Sequence, residues 1–163
     1  MAGNQSKILN QKRLIRTLDL LRKNGRSIVF TNGCFDILHV GHVRYLAKAK
    51  SLGQVLVVGL NSDESVRRIK GRYRPVNPQS HRAELLAALG CVDFVTIFDE
   101  EDPLNLITRI MPDVLVKGAD WEENEIVGAR IVKENGGKVK RVRIVSGVST
   151  SGLIERIRKG TPL

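Results

Sequence analysis

Two histidines at a spacing of three, His39 and His42, are the residues of this sequence best suited to phosphate chemistry. They follow an apolar run and open a segment with helical spacing, so their imidazoles are expected to share nearly one helix face. Gly41 between them has no side chain, which lets a phosphate approach the backbone closely. A helix N-terminus adds amide donors and partial positive charge. The combination predicts a site that binds a triphosphate and stabilises the phosphoryl group in transfer.

The histidine pair also has a simpler, structural explanation. His39 could fill a buried polar position while His42 lies at the surface. The preceding residues, Gly33-Cys34-Phe35-Asp36, favour a functional loop, because Gly33 permits a tight turn from strand to helix. A metal centre fits less well, since no third ligand lies nearby at a typical spacing. We therefore predict no metal ligands in the protein and Mg²⁺ bound mainly through nucleotide phosphates.

The elements around this motif alternate between apolar runs and segments with helical spacing. Strands are predicted at residues 27–31, 54–60, 93–98, 113–117 and 139–145, and helices at residues 8–23, 40–52, 64–69, 80–89, 103–110, 125–134 and 151–158. Ser80 and Asp102 are predicted to cap the helices that follow them. The strands are continuous apolar runs, which is typical of a parallel sheet covered on both faces. We predict an α/β fold: a doubly wound, Rossmann-like sheet of five parallel strands with helices on both faces, in a single domain spanning residues 1–163.

In such a sheet, ligands bind beyond the carboxyl ends of the strands, where the strand order reverses. The loops to consider are therefore residues 32–40, 61–78, 118–124 and 146–151. The distinctive polar residues of the sequence fall in these loops.

The charge and composition of the chain restrict its partners. A net charge of +10 and a pI near 10.1 favour anionic ligands. Aromatic residues make up only 4%, which argues against a surface that stacks single-stranded bases. No apolar run is long enough to span a membrane, no secretory signal is recognisable, and two isolated cysteines do not form a disulfide framework. We expect a cytoplasmic protein whose partners are neither nucleic acid nor membrane.

Several longer motifs carry a family resemblance. The segment GCFDILHVGHVRYLAKAK resembles the HxGH nucleotidyltransferase superfamily, and so do NSDESVRRIKG, RPVNPQSHRAELLAAL, DVLVKGADW and GVSTSGLIERI. Together they look most like the adenylyltransferases of bacterial ADP-heptose synthesis. That resemblance implies transfer of AMP from ATP to D-glycero-β-D-manno-heptose 1-phosphate for lipopolysaccharide core, with release of pyrophosphate. It also implies a homo-oligomer, because relatives commonly self-associate.

The motifs and the resemblance predict three groups of site residues. The catalytic group is His39, His42 and Lys70. The nucleotide and phosphate group is Gly33, Cys34, Phe35, Gly41, Arg82, Lys117, Gly118, Asp120, Ser149 and Thr150. The acceptor group is Asn32, Asp36, Asn61, Asp63 and Trp121.

Some of these residues have an ordinary structural explanation as well. Asp36 is equally a helix-start carboxylate, Asp63 is a cap for the helix at Glu64, and Trp121 is a core-edge anchor. Ser149 is a helix N-cap, which does not exclude phosphate binding by the same helix start. For Lys70 the alternative is one more solvated lysine in a basic stretch.

Alternative functions stay open at this point. A cytidylyltransferase acting on glycerol phosphate or another alcohol phosphate is the first, although Ile144 stands where those enzymes carry an arginine. A basic nucleic-acid-binding module is the second, and it depends on charge alone. A dinucleotide-binding oxidoreductase is disfavoured because no GxGxxG follows the first strand.

Overall fold

The computed structural model describes residues 2–120, 122–143 and 147–160. Within these ranges, parallel strands form one sheet in the order β3-β2-β1-β4-β5. The strands are β1 (Ile28–Gly33), β2 (Val55–Asn61), β3 (Phe94–Phe98), β4 (Val114–Gly118) and β5 (Lys138–Val142). The predicted five-stranded parallel sheet is confirmed.

Eight α-helices lie in the described part of the chain. They are α1 (Ala2–Gln5), α2 (Gln11–Lys23), α3 (Val40–Lys50), α4 (Asp63–Lys70), α5 (Gln79–Ala88), α6 (Leu104–Ile110), α7 (Ala129–Glu134) and α8 (Thr150–Lys159). Residues 125–134 were predicted as one helix, but a 3₁₀ turn at Glu123–Glu125 precedes α7. Gly128 interrupts the helix because its φ of 81° lies in the left-handed region.

The two faces of the sheet bury separate apolar layers, as a doubly wound fold requires. Along β1, Ile28 and Phe30 belong to one layer and Val29 to the other. The first layer takes its helical side chains from α2, α6 and α7, and the second takes them from α3 and α5. Helices therefore cover both faces, which agrees with the apolar runs of β1 to β4, whereas β5 is mostly exposed.

Three predicted helix caps are corrected by the structure. Ser62, not Asp63, caps α4, and its Oγ accepts a hydrogen bond from the Ser65 amide at 3.2 Å. Pro78 occupies the N-cap position of α5 in place of Ser80, because its φ of −63° leads directly into a helix. Pro103 holds that position in α6, while Asp102 still accepts a hydrogen bond from the Leu104 amide at 2.9 Å.

The strand order reverses at β1, the central strand. From β1 the chain moves outward through β2 to β3, and then crosses to β4 and β5 on the other side. The carboxyl ends of β1 and β4 therefore flank the switch point, where a crevice for ligands is expected.

The two edges of the sheet differ in how they are covered. On the β3 edge, the Leu9 amide donates to the Val95 carbonyl and the Val95 amide donates to the Lys7 carbonyl, both at 2.9 Å. On the β5 edge, the exposed side chains are Lys138, Lys140 and Arg141. In the described ranges, no helix is both long and apolar enough for a membrane span.

Candidate active site

A cavity of about 570 Å³ opens at the switch point of the sheet. Its lining contains fifteen of the residues predicted from the sequence. They are Asn32, Gly33, Cys34, Phe35, Asp36, His39, Gly41, His42, Asn61, Lys70, Lys117, Gly118, Asp120, Ser149 and Thr150. Residues distant in sequence thus meet in one place, because β1, β2, β4 and the start of α8 all end or begin there.

The two histidines lie at the start of α3. His39 occupies the N-cap position and makes no side-chain capping hydrogen bond, so the amides of the first helical turn are not capped by it. The rings of His39 and His42 stack with centroids 3.8 Å apart. Each Nδ1 atom is buried and has no hydrogen-bond partner among the described residues. Buried polar atoms without partners are costly, and they are expected where a ligand completes the site.

Both histidines are biased toward the neutral form. Burial, followed by repulsion from His39, lowers the pKa of His42 to about 4, although a backbone contact with Ile37 opposes the shift. Burial also lowers the pKa of His39 from its ordinary value. The rings therefore face the cavity as neutral donors and acceptors near pH 7 until an anion arrives.

The turn before α3 is shaped by a close contact between backbone and ring. Phe35 is a buried residue with φ of 43°, in the left-handed region. Its ring meets the His42 ring edge-on at 5.2 Å. A Cβ at Gly33 would lie 3.1 Å from the Phe35 ring, so glycine there leaves room for this arrangement. Gly33 thus leaves space for the Phe35 ring, and the Phe35 ring in turn fixes the position of His42.

Lys117 brings a buried ammonium group to the end of β4. Its Nζ donates to Asn32 Oδ1 at 2.6 Å, across the β1–β4 pair. Burial lowers the pKa of Lys117 to about 8, and attraction from Asp120 opposes that change. The ammonium lines the cavity with an amide oxygen as its hydrogen-bond partner, which suits it to receive an anion.

The start of α8 supplies a second helix N-terminus on the same cavity. Ser149 is its N-cap, and Ser149 Oγ accepts from the Gly152 amide at 3.1 Å. Thr150 Oγ1 donates to the Ile37 carbonyl at 3.3 Å, which ties α8 to the turn before α3. Two helix N-termini therefore converge on one space, an arrangement that favours a polyanion.

Asp36 lies beside the cavity, but its carboxylate is occupied by the protein. It accepts from Arg74 Nε at 2.6 Å and from the amides of Val76 and Asn77 at 2.8 and 2.9 Å. Burial tends to raise the pKa of Asp36, but these hydrogen bonds outweigh it and the pKa is lowered. Asp36 was predicted to contact the acceptor; in the structure its carboxylate instead holds the loop of residues 71–78 through Arg74, Val76 and Asn77.

Arg82 and Asp63 also differ from their predicted roles. Arg82 is fully buried, and its guanidinium donates hydrogen bonds to Cys34, Asp63 and Asn77. Neither Arg82 nor Asp63 lines the cavity. Arg82 was predicted to contact phosphate and Asp63 to contact the acceptor, and the structure corrects both predictions. The two side chains form an ion pair with each other at 2.8 Å, behind the cavity. Trp121 lies outside the described residues.

Other residues of the lining were not predicted from the sequence. Tyr45 is one turn beyond His42, and its hydroxyl lies 2.8 Å from Thr31 Oγ1 and donates to the Val116 carbonyl at 3.2 Å. The helical spacing from His42 could have indicated it. Arg74 lies in the basic stretch that follows Lys70, and the contact with Asp36 that distinguishes it joins residues 38 positions apart. The remaining unpredicted lining residues are Ile69, Glu101, Asp102, Pro103, Glu125, Ile126, Val127, Val148 and Ser151.

The described residues contain no cluster of three or more histidine, cysteine, aspartate or glutamate side chains that could hold a metal ion. Asp36, a carboxylate close to the histidines, already accepts three hydrogen bonds.

Known proteins resemble this chain over most of its length. The Bifunctional protein HldE of Campylobacter concisus is 60% identical over 139 residues, which is 85% of this chain and 29% of that protein. The chain thus spans about a third of the length of the curated relatives it matches.

Two solved structures extend the comparison. The lipopolysaccharide core biosynthesis protein of Thermoplasma volcanium is 34% identical with a TM-score of 0.61, covering 74% of this chain and 98% of that one. The pantoate-beta-alanine ligase of Francisella tularensis is 20% identical with a TM-score of 0.65, covering 93% of this chain and 76% of that one, and it shares the fold. The cytidylyltransferase-like family model matches residues 30–156, a range that includes both histidines and the start of α8. The chain belongs to the cytidylyltransferase-like family.

Proposed function

We propose that this chain is an adenylyltransferase that transfers AMP from ATP to D-glycero-β-D-manno-heptose 1-phosphate. The products are ADP-heptose, a precursor of lipopolysaccharide core, and pyrophosphate. The observation that carries the proposal is the convergence of the stacked pair His39 and His42 with the α8 N-terminus on one cavity. The similarity of this chain to the Thermoplasma lipopolysaccharide core biosynthesis protein and to HldE supports the choice of substrate.

The reaction is an in-line displacement at the α-phosphorus of ATP. An oxygen of the acceptor phosphate forms the new P–O bond, the bond to the leaving pyrophosphate breaks, and its electron pair departs with pyrophosphate. A phosphate monoester is already anionic near neutral pH, so the step needs no strong general base. Catalysis then consists of positioning the two phosphates and neutralising their charge.

The residues of the cavity divide this work by their position. His39 and His42 contact the phosphates from the start of α3, with His42 nearer the transferring phosphorus. Ser149 and Thr150 hold the leaving pyrophosphate at the start of α8, together with Lys70 at the end of α4. When bound, Mg²⁺ would add to the charge neutralisation, and it would be held by the nucleotide phosphates rather than by protein side chains.

The nucleotide and the acceptor occupy adjoining parts of the cavity, which meet at the hydrogen bond between Lys117 and Asn32. Lys117, Gly118 and Asp120 end β4 and form the nucleotide side, with Lys117 facing phosphate and Asp120 facing ribose or base. Asn32, Asn61 and Arg74 form the acceptor side, at the ends of β1 and β2 and in the loop that Asp36 fixes.

A panel of nucleotides against phosphorylated acceptors tests the proposal. Pyrophosphate release is measured for ATP, CTP, GTP and UTP, each with heptose 1-phosphate, glycerol 3-phosphate and other sugar phosphates. We expect the highest kcat/KM for ATP with heptose 1-phosphate. A preference for CTP with glycerol 3-phosphate would replace the proposal with the cytidylyltransferase. Absence of turnover with every pair, together with salt-sensitive DNA binding, would remove the enzymatic assignment.

Self-association belongs to the same proposal. Size-exclusion chromatography with light scattering would give the mass in solution, and we expect a homo-oligomer. An elution mass equal to that of one chain across the working concentration range would contradict it.

A further inference from the structure

One fully buried arginine lies behind the candidate site without touching the cavity. The three donor nitrogens of Arg82 each reach a different segment of the chain. Nε donates to the Asn77 carbonyl at 3.0 Å, Nη1 to the Cys34 carbonyl at 2.5 Å, and Nη2 to Asp63 Oδ1 at 2.8 Å. The side chain is 0% exposed. Its hydrogen bonds are internal, so it cannot exchange them for a substrate without breaking the fold around it.

Each of the three segments carries a residue of the cavity. Cys34 directly precedes Phe35, whose ring packs edge-on against His42. Asp63 begins α4, and the same short helix ends at Lys70. Asn77 belongs to the loop that carries Arg74. One guanidinium thus joins the phosphate-binding turn to the loop that carries Arg74 and to the helix that ends at Lys70.

The peptide of Asn77 is held from two directions. Its amide donates to Asp36 Oδ1 at 2.9 Å, while its carbonyl accepts from Arg82. The Asn77 side chain also donates to the Asp36 carbonyl at 2.7 Å. Because Asp36 holds Arg74 as well, Asp36 and Arg82 together clamp residues 71–78 against the turn that precedes α3.

A buried guanidinium is an expensive way to hold a loop. Charge removed from water is destabilising unless its hydrogen bonds are satisfied, and Arg82 has only one carboxylate partner, Asp63, among the described residues. Its flat, forked geometry reaches three acceptors in different directions, which an ammonium group cannot match. The cost is explained if the geometry it enforces is needed by the reaction.

We propose that Arg82 is a positioning residue for the acceptor phosphate, acting through Asn77, Asp63 and Cys34 rather than by contact with phosphate. Through the clamped loop it sets the distance between Arg74, on the acceptor side, and the histidine pair. This inference rests on the proposed function for its kinetic readout, but its structural core is testable without any substrate.

The first experiment follows amide hydrogen exchange in the free protein. Arg82→Lys and Arg82→Met are compared with wild type at a temperature where all are folded. The backbone amides of Val76 and Asn77 donate hydrogen bonds to Asp36. We expect these two amides to exchange at least about 10-fold faster in both variants. Unchanged exchange at these two amides in a folded variant would overturn the coupling.

The second experiment measures steady-state kinetics with each substrate varied in turn. Arg82→Lys is expected to raise the KM for the acceptor phosphate and lower kcat, each about 10- to 100-fold, while the KM for ATP changes less than threefold. A rise confined to the KM for ATP would indicate that Arg82 contacts the nucleotide phosphates directly, and it would contradict the positioning role. Normal kinetics in both folded variants would reduce Arg82 to a stabilising residue.

A matched control separates positioning from stability. Lys50 forms another partly buried ion pair, with Asp93, which lies outside the cavity lining. Lys50→Met is expected to lower the melting temperature with unchanged KM and kcat. If neither Arg82 variant folds, Asp63→Asn keeps the arginine and removes only its carboxylate, and it should shift the same parameters by a smaller factor; wild-type kinetics in that folded variant would contradict the coupling.

The two proposals fail differently. If the wild-type chain turns over no pair of substrates, the proposed function fails, and the exchange measurement still decides whether Arg82 fixes residues 71–78. If wild type is active and the exchange rates do not change, the proposed function stands and the role of Arg82 is wrong.

Discussion

The imidazole rings of His39 and His42 stack with an interplanar angle of 21° and centroids 3.8 Å apart. Two cationic rings at that distance would repel each other strongly, and burial adds to the cost of charging them. Burial lowers the pKa of both groups, and repulsion from the stacked His39 ring lowers the pKa of His42 further. A bound polyphosphate reverses the balance, because its negative charge attracts a proton to the pair.

Replacement of His42 by alanine tests its role at the transferring phosphorus. We expect His42→Ala to lower kcat by about 100- to 1,000-fold, the loss typical when one donor to a developing charge is removed. The melting temperature should change little, because the ring lies at the cavity wall. Pyrophosphate release at saturating substrate gives kcat, and circular dichroism gives the melting curve.

The third histidine of the chain provides the control. His81 is exposed on α5 and does not line the cavity, so His81→Ala should keep wild-type kcat. Near-normal turnover in His42→Ala would contradict the assignment of the pair.

The protonation of His42 should respond to ATP. In the free protein the ring is expected to titrate near its pKa of about 4, well below that of an ordinary histidine. Binding of a non-hydrolysable ATP analogue should raise the midpoint, because the phosphates stabilise the imidazolium. NMR titration of the ring Cε1 proton, assigned with His42→Ala, measures both midpoints. A midpoint that is unchanged by the nucleotide would mean that the ring does not face the phosphates.

Lys117 predicts a loss of nucleotide affinity in alkaline solution. Its pKa of about 8 lies below the ordinary value of 10.5, so the free protein loses this charge as the pH rises through 8. ATP binds better to the charged form, and the dissociation constant should therefore increase above pH 8. Lys117→Met should bind weakly at pH 7 and lack this part of the pH dependence, as measured by isothermal calorimetry. Lys12→Met, on the exposed side of α2, should keep the wild-type profile.

Asp36 predicts a contribution to stability that depends on pH. Its pKa is lowered in the fold, so the stabilisation is present above the ordinary pKa of 3.8 and is lost as the pH falls through the lower folded value. Asp36→Asn should reduce the free energy of unfolding by about 1–3 kcal/mol at pH 7, and by less in acid. Urea unfolding at several pH values measures the difference. Asp19→Asn, in an exposed pair with Arg22, should be close to neutral, and an equal loss there would contradict the assignment.

The parts of the site that sequence reasoning located are those defined by local pattern. His39, Gly41 and His42 lie within four residues, and the strand before them and the helix after them have clear hydrophobic patterns. Ser149 and Thr150 could be placed because hydroxyls before a helix mark its start. The parallel sheet then brings these separate loops to one edge without further information.

The parts that were wrong depend on contacts between distant residues. Arg82 was expected to contact phosphate because a cation in the first turn opposes the helix dipole, and because the family resemblance has an arginine at this position. In the structure its partner Cys34 is 48 residues away, and no sequence pattern encodes that meeting. The role of Asp36 was ambiguous for the same reason, because the amides that donate hydrogen bonds to it lie 40 and 41 residues later in the chain.

The covering of the two sheet edges bears on how the protein can be shortened for expression. Lysines and an arginine along β5 discourage strand addition by another molecule, whereas β3 depends on the short pairing of Ile8 with Val95. Removal of residues 1–10 would keep every helix around the cavity. It would also leave the backbone groups of Val95 free to pair with a neighbouring molecule. Fragments cut there should aggregate at concentrations where the longer chain stays dispersed, even though the catalytic residues are intact.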